Sequence, residues 1–224
     1  MRINQALVQL GFATSRRKAD DLLIAGRVKC NGQKVEHLAT IVDIHQDTIT
    51  VDDQAAEPII QATIIMNKPV GYVCSHQPQG NDKSVFELLP PQYQQLKLAG
   101  RLDKDSEGLL LLSSDGNLIN QLSHPRHNKQ KTYYLVLDEP IVASAINKLL
   151  HGVALEDGIS KFDKVEGRGR ELSVVIHEGR NRQIRRTLQT LGYKVTKLQR
   201  VSLGDYKLGQ LKPGDWQKIA TITP

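Results

Sequence analysis

The sequence predicts an α+β protein with a small N-terminal domain and a larger domain whose mixed, mainly antiparallel sheet is flanked by helices. Two helical patterns and an Asn-Gly hairpin signal fall within the first 52 residues. A polar stretch follows, and the rest of the chain carries strand-like runs without regular helical partners, which favours α+β over repeated βαβ units. We expect the small domain over residues 1–53, a linker over 54–61 and the large domain over 62–224.

The small domain is predicted to contain two helices followed by short strands. The segments "NQALVQLGF" and "SRRKADDLLIAG" both carry apolar residues at helical spacing. Ser15 is a favourable N-cap for the second helix, and Gly26 is placed to end it. In "RVKCNGQKV", Asn31-Gly32 lies between two β-prone runs and predicts a hairpin. The segment "DTITVDD" is predicted to form a further strand before the linker "QAAEPIIQ".

The large domain is predicted to mix strands and helices in irregular order. Its strand candidates are "TIIMNKP", "GLLLLSS", "KTYYLVL", "ELSVVIHE" and "YKVTKLQRVSLGDYKL". Its helix candidates are "NLINQL", "IVASAINKLLHG" and "RQIRRTLQTLG", the last of which ends in a glycine. These runs predict the sheet and the helices that flank it.

The composition is that of an ordinary folded protein, with 39% hydrophobic and 24% charged residues in a chain of 224. The chain has no apolar segment typical of a signal peptide and no run of about 18 apolar residues, so we expect a soluble cytoplasmic protein without membrane partners. Cys30 and Cys74 form no CxxC pair, which argues against a disulfide framework or a metal site.

Positive charge is concentrated in two parts of the chain. The formal net charge is only +6, yet the segment Arg168 to Arg200 holds nine Lys or Arg against two Glu. Basic residues also gather at the start of the second predicted helix and at the hairpin. Such patches suit a phosphate backbone, because binding there is driven by counterion release. A solvated helix face is the alternative explanation for each cluster.

The segment "AGRLDKDSEGLLLLSSDG" sets three carboxylates against a run of leucines. Asp103, Asp105 and Glu107 alternate, and alternate residues of a strand share one face. Spacing alone therefore does not choose one of them for catalysis, and solvated turn residues are the alternative. The four leucines predict a buried strand directly after the charged segment.

Two groups of motifs resemble known families. The segment "TSRRKADDLLIAGRVKCNGQKV" resembles the S4 domain, a small RNA-binding module. The segments "MNKPVGYVCS", "GRLDKDSEGLLLLSSDG", "HPRHNKQKTYYLVL" and "EGRNRQIRRTLQTLGYKVTKLQRVSLG" together resemble the RsuA/RluB-type pseudouridine synthases. The resemblance covers nearly the whole chain in the same order. It implies an S4 domain followed by a pseudouridine synthase catalytic domain.

The resemblance implies roles for three catalytic residues. Asp103, in "GRLD", corresponds to the family's catalytic aspartate, and Tyr133, in "KTY", lies against the target base. Arg185, in "GRNRQIR", corresponds to the basic residue that pairs with the aspartate. Arg182 stands where many members of the wider superfamily have His, which places the motif closer to the large-subunit branch. The length of the chain also fits the small-subunit branch, so both substrates stay open.

The same resemblance, together with the basic clusters, predicts an RNA-binding set. Its members lie at the S4 helix start, at the hairpin, and beside the catalytic motifs, where they face phosphates or neighbouring nucleotides. They are Ser15, Arg16, Arg17, Lys18, Arg27, Lys29, Asn31, Lys68, Arg101, Arg126, Lys131, Arg180, Arg182 and Arg186.

The implied function is isomerisation of specific uridines to pseudouridine in ribosomal RNA, free or within a ribosome assembly intermediate. The target base must leave its stack to reach Asp103. Asp103 then adds to C1′, adds to C6 or removes the 2′ proton, and the sequence does not separate these routes. No redox change or group transfer occurs, so we expect no cofactor and no metal, and a monomeric enzyme. A binding-only assembly factor and a nucleoside hydrolase are the alternatives.

Overall fold

The computed structural model describes residues 1–13, 15–44, 46–55, 60–78 and 80–220. The chain divides into two compact units, Met1–Gln61 and Ala62–Pro224, each with its own buried apolar core. Within those stretches, no helix is both long enough and apolar enough to cross a membrane.

The small unit packs two helices against a short antiparallel sheet. Its elements are α1 (Ile3–Gln9), α2 (Arg16–Ile24), β1 (Val28–Cys30), β2 (Gln33–Lys34), β3 (Ile49–Val51) and β4 (Gln54–Ala55). The strand order is β2-β1-β3-β4, and apolar residues of both helices and of β1 and β3 form one core. The predicted pair of helices followed by short strands is confirmed.

The capping and turn residues predicted for the small unit have these roles in the structure. The Ser15 hydroxyl caps α2 by accepting a hydrogen bond from the Lys18 amide at 3.2 Å. Gly26, with φ of +68°, follows the helix in the left-handed region that favours glycine. Asn31 and Gly32 both have positive φ and turn the chain so that Cys30 pairs with Gln33.

The stretch predicted as a linker begins inside the small sheet. Gln54 and Ala55 form β4, which pairs with β3. Residues 56–59 lie outside the described residues, and the two units divide between Gln61 and Ala62. A strand of two residues is too short to show an alternating pattern. The polar composition of this stretch therefore predicted a linker.

The large unit is built on one extended sheet with helices on both sides. Its helices are α3 (Gly116–Ser123), α4 (Ala143–His151) and α5 (Gln183–Thr190), with short 3₁₀ helices at Val85–Leu88, Pro91–Tyr93 and Pro125–His127. Its strands are β5 (Thr63–Lys68), β6 (Tyr72–Val73), β7 (Lys83–Ser84), β8 (Lys97–Leu98), β9 (Glu107–Ser113), β10 (Lys131–Leu137), β11 (Val153–Leu155), β12 (Gly158–Ser160), β13 (Lys164–Arg168), β14 (Glu171–Ile176), β15 (Val195–Leu203), β16 (Tyr206–Lys207) and β17 (Trp216–Ile219).

The main sheet is mixed and mainly antiparallel, as the sequence predicted. Its central path runs β13-β14-β10-β15-β9-β5-β17, with β8 and β16 attached to β9 and β15. β15 and β9 run parallel, while the other pairs along this path are antiparallel. β11 with β12, and β6 with β7, form two small separate ladders.

The four consecutive leucines of β9 are buried on both faces of the sheet, each with 0% exposure. Leu109 and Leu111 join the cluster that includes α3, while Leu110 and Leu112 join the cluster that includes the 3₁₀ helix Val85–Leu88. A strand covered on both sides reads as a continuous apolar run rather than an alternating one. The run predicted from the sequence is therefore an interior strand of the sheet.

Gly108 allows β15 to approach β9 closely. A Cβ at position 108 would lie 2.3 Å from the carbonyl oxygen of Arg200 and 2.7 Å from its amide nitrogen. The φ of Gly108 is +104°, which L side chains rarely adopt. Gly108 pairs with Arg200 in the short parallel contact between the two halves of the sheet. The glycine therefore permits the contact that joins these halves.

Replacing Gly108 with alanine should lower the free energy of unfolding by more than about 2 kcal/mol, since the new Cβ meets backbone and the φ is unfavourable. Gly116→Ala is the matched control, because nothing lies within 4 Å of a Cβ at the start of α3. The control should change stability by no more than about 0.5 kcal/mol. Urea unfolding followed by circular dichroism measures both, and equal stabilities for the two variants would contradict the packing argument.

Candidate active site

A cleft of about 930 Å³ opens in the large unit beside the junction of β9 and β15. Its walls are the Asp103 loop (residues 99–106), strands β10 and β15, and the segment 176–184 that leads into α5. Asp103, Tyr133 and Arg182 all line this cleft. Residues from separate sequence motifs therefore meet at one concave surface.

Backbone contacts hold the Asp103 loop in place. The amide of Ser106 donates to the Asp103 carbonyl at 3.1 Å and closes a turn. The buried Leu102 donates its amide to the Cys74 thiol sulfur at 3.4 Å, and the Lys104 carbonyl accepts from the Gly71 amide at 2.8 Å. The loop therefore presents the Asp103 carboxylate, 37% exposed, from a braced backbone.

The three alternating carboxylates have three different environments. Asp103 and Asp105 lie in the loop and not in the strand, so the shared strand face predicted for them does not form. Asp103 faces the cleft, and Asp105 accepts two hydrogen bonds from Arg182 at 2.7 and 2.9 Å. Glu107 starts β9 and pairs with Lys197 at 3.2 Å. Local geometry thus separates residues that spacing made equivalent.

The cation nearest Asp103 is Arg182, whose Nη1 lies 3.8 Å from the carboxylate. Arg185, which we expected as its partner, instead lies 3.3 Å from Asp105 and donates to the Asp105 carbonyl at 2.8 Å. A further bond from Arg185 to the Val195 carbonyl, at 2.8 Å, ties the loop to β15. The two arginines lie at the cap and in the first turn of α5, so both reach the same loop.

Asp105 is the centre of this ion-pair network, a role that the sequence did not reveal. Hydrogen bonds from Arg182 hold the pKa of Asp105 below its usual value, and the charge of Arg185 adds to the effect. The pKa of Arg182 is raised by the same pair, while burial lowers the pKa of Arg185. Asp105 therefore holds two cations beside Asp103.

Tyr133 lies on β10 with its side chain buried at the cleft wall. It pairs with Val174 on β14 and with Arg200 on β15, at a register shift between Thr132 and Tyr133. The backbone at Tyr133 is therefore held by strands on both sides. That Tyr133 lies against the target base remains a prediction.

Two lysines predicted to contact RNA donate hydrogen bonds to backbone carbonyls, Lys68 in the interior and Lys131 at the cleft wall. Lys68 is fully buried and donates to the carbonyls of Ser106 at 2.6 Å and Pro69 at 3.0 Å, so it braces the Asp103 loop and does not meet RNA. Lys131 donates to the carbonyls of Lys129, His177 and Glu178, each at 3.2 Å. Burial lowers the pKa of both lysines.

The predicted arginine contacts divide into exposed and ion-paired residues. Arg101 and Arg126 are both exposed. Arg101 lines the cleft, and the Nε of Arg126 donates a hydrogen bond to the Nε2 of His127 at 3.1 Å. Arg180 and Arg186 both pair with Asp157, at 3.0 and 2.7 Å. RNA contacts by the ion-paired arginines remain a prediction and would require exchange of these partners.

The predicted RNA-binding residues of the small unit also divide into exposed residues and residues that pair with acidic neighbours. Arg16, Arg17 and Lys18 are exposed at the start of α2, and neither Arg16 nor Arg17 forms an ion pair with a described residue. The hairpin residues are held by acidic neighbours. These pairs are Arg27 with Asp52, Lys29 with Asp53, and Asn31 with Asp47.

Arg200 is a further cleft residue, and in the sequence it stands out only as part of a basic segment. It lines the cleft from β15 and is 2% exposed. A basic residue amid the strand pattern of "KLQRVSL" was the available signal. Across the described residues, no group of three or more His, Cys, Asp and Glu side chains is arranged to hold a metal ion.

The fold and the cleft define a class of enzyme that comparison with known proteins identifies. A family model described as RNA pseudouridylate synthase matches residues 62–190, and an S4 domain model matches residues 1–49. The chain belongs to the RNA pseudouridylate synthase family and is a pseudouridine synthase with an N-terminal S4 domain. The resemblance seen in the sequence is confirmed.

Individual relatives match over nearly the full chain. An uncharacterized RNA pseudouridine synthase of Aquifex aeolicus is 37% identical and covers 98% of this chain and 90% of its own. The ribosomal large subunit pseudouridine synthase B of Bacillus subtilis is 33% identical over 97% of this chain and 91% of its own. A crystal structure of a pseudouridylate synthase superposes with a TM-score of 0.71 at 26% identity, covering 98% of this chain and 96% of that one.

Asp105→Asn should destabilise the protein by about 1 kcal/mol at pH 7, since the half-exposed pair is screened by solvent. Because folding lowers the pKa of Asp105, its contribution is present above the ordinary aspartate pKa of about 3.9 and is lost as pH falls through the folded value. The difference in free energy of unfolding between wild type and Asp105→Asn should therefore become smaller as the pH is lowered.

Urea unfolding at neutral and acid pH measures this difference. Asp205→Asn is the control, since Asp205 is exposed in the turn between β15 and β16 and forms no ion pair with any described residue. If the difference in free energy of unfolding between wild type and Asp105→Asn stays constant or grows at acid pH, the assigned network is contradicted.

Proposed function

We propose that this pseudouridine synthase isomerises a uridine of ribosomal RNA, with Asp103 as the catalytic carboxylate and with the target base flipped into the cleft. The observation that carries the proposal is the meeting of Asp103, Arg182 and Tyr133 at one concave surface. The ribosomal substrate is supported by relatives named ribosomal large subunit pseudouridine synthase B, and we take large-subunit RNA as the target.

Asp103 is suited to act on the ribose or the base because it is ionisable, partly exposed and held on a braced loop. Arg182 supplies a positive charge 3.8 Å from the carboxylate and helps to orient it. Arg185 acts one step further away as a positioning residue, since it fixes Asp105 and thereby Arg182. Asp103 adds to C1′, adds to C6 or removes the 2′ proton, and each route needs the carboxylate at the sugar edge of the base.

Tyr133 provides a flat apolar surface for the flipped uracil and a phenol near the atom that loses a proton. Its side chain is buried and projects from β10, which pairs with β14 on one side and β15 on the other, so the base would stack on a residue of the interior of the sheet. Extracting a base from its stack costs a few kcal/mol, which contacts to neighbouring nucleotides must offset. Arg101 and Arg126, exposed on the same unit, are suited to those contacts.

Asp103→Asn should reduce pseudouridine formation by more than about 10³-fold, because the amide cannot act as nucleophile or base. RNA affinity should stay within about threefold of wild type, since the fold and the exposed cations are unchanged. Release of tritium from C5-labelled uridine in a ribosomal RNA transcript measures turnover, and filter binding measures affinity. Asp205→Asn is the matched control, and undiminished turnover in Asp103→Asn would refute the assigned role.

The substrate assignment is tested by mapping pseudouridines in both ribosomal RNAs from cells with and without the gene. We expect one or a few large-subunit positions to lose the modification, and purified protein to restore it on unmodified RNA. Loss at a small-subunit position would correct the target. Unchanged maps in both RNAs, with intact RNA binding, would favour the assembly-factor alternative.

A further inference from the structure

Arg200 is a buried cation with an unused hydrogen-bond donor. Its Nε donates to the Leu109 carbonyl at 2.8 Å, while its Nη2 is buried without a partner among the described residues. Two other arginine nitrogens that are buried without a hydrogen bond, Nε of Arg180 and of Arg185, lie 2.9 and 3.3 Å from carboxylates. Arg200 forms no such ion pair within the described part of the chain. Leaving a buried charged donor unpaired costs free energy, so the arrangement needs a reason.

The position of Arg200 relates it to the proposed base site. It pairs across strands with Tyr133, which puts their side chains about 5 Å apart at Cβ. A Cβ at Gly100, in the Asp103 loop, would lie 3.9 Å from Arg200 Nη1. The guanidinium therefore lies between the Tyr133 strand and the Asp103 loop, beside the surface proposed for the base.

Positive charge near Arg200 is not neutralised by direct ion pairs. The ammonium groups of Lys68 and Lys131 donate to backbone carbonyls, and neither forms an ion pair with a described carboxylate. Burial is the main cause that lowers the pKa of Lys131, and the like charge of Arg200 lowers it further. Such a site favours a ligand that brings negative charge to it.

The proposed reaction develops negative charge on the uracil ring by every route. If Asp103 attacks C1′ or removes the 2′ proton, the N1–C1′ bond breaks and its electron pair stays on the ring, shared by N1, O2, O4 and C5. If Asp103 adds to C6, the pair of the C5–C6 double bond moves to O4 as an enolate. In the C6 adduct the N1–C1′ bond then breaks, and its electron pair stays on N1. In every route C5 bonds to C1′. Asp103 leaves C1′ as this bond forms, returns its proton to C2′, or leaves C6 as the C5–C6 double bond re-forms. Finally C5 loses the proton that N1 gains.

We propose that Arg200 Nη2 donates a hydrogen bond to a carbonyl oxygen of the flipped uracil and stabilises the negative charge that this ring acquires. The inference rests on the proposed function and adds a catalytic residue to it. A donor that is already oriented by Leu109 and shielded from water acts on developing charge without reorganisation. A backbone phosphate is the less suitable acceptor, because Nη2 lies in the buried wall and not at the exposed rim.

Arg200→Met should lower kcat by about 10²–10³-fold, the effect of removing one donor from an oxyanion site, with KM changed less than about threefold. Its melting temperature should equal or exceed that of wild type, since an unpaired buried charge is removed. Arg170→Met, at an exposed turn, is the matched control. Arg200→Lys keeps the charge and serves if the methionine variant does not fold.

RNA fragments with 4-thiouridine or 2-thiouridine at the target position identify the acceptor. One of them should slow the wild-type enzyme, and the same substitution should add little further slowing in the Arg200 variant, because both remove one interaction. The proposal would be overturned if each thio substitution slowed the Arg200 variant by the same factor as it slows the wild-type enzyme. It would also be overturned by a variant that raises KM at unchanged kcat, which indicates a phosphate contact, or by one that only loses thermal stability. Absence of turnover by the wild-type chain would instead reject the proposed function.

Discussion

The short parallel contact between β15 and β9 is the constraint on which the rest of the large unit depends. It joins the β13-β14-β10-β15 half of the sheet to the β9-β5-β17 half, and Gly108 permits it by leaving no Cβ in the path of the Arg200 backbone. The Asp103 loop enters β9 on one side of this contact, and Tyr133 lies next to β15 on the other. The cleft exists because two halves of one sheet meet there. Its residues are therefore positioned by strands β10 and β15, by the Asp103 loop that leads into β9, and by the start of α5.

Charge in the cleft is arranged in two ways. On the α5 side, Asp105 binds Arg182 and Arg185 and keeps both beside the loop, which leaves Asp103 near a cation but not in a close bidentate pair. A bidentate partner would occupy the oxygens that a reacting carboxylate needs. On the β15 side, the buried Lys68 and Arg200 and the half-buried Lys131 donate to backbone carbonyls and form no ion pair with a described carboxylate. The first arrangement positions charge and the second leaves charge for a ligand.

The basic residues that suggested an RNA-binding protein also fall into these categories. Arg16 and Arg17 on α2, and Arg101 at the cleft, are exposed and suited to phosphates. Arg180 and Arg186 bind Asp157, and Lys68 is interior to the large unit. A count of basic residues therefore overstates the surface available to RNA. The family assignment does not rest on that count, since it follows from ordered motifs along the whole chain.

The sequence by itself determined the α+β class, the helices, the Asn31-Gly32 hairpin, the interior strand of four leucines and the family. Each depends on spacing or turn chemistry within about a dozen neighbouring residues, which a linear pattern records. Only the tertiary structure decided that Arg182 and not Arg185 lies nearest Asp103, and that Arg200 is buried in the wall of the cleft. These contacts join residues 77 to 91 positions apart. Their partners are set by strand register and by the path of the loop, and neither leaves a periodic trace in the sequence.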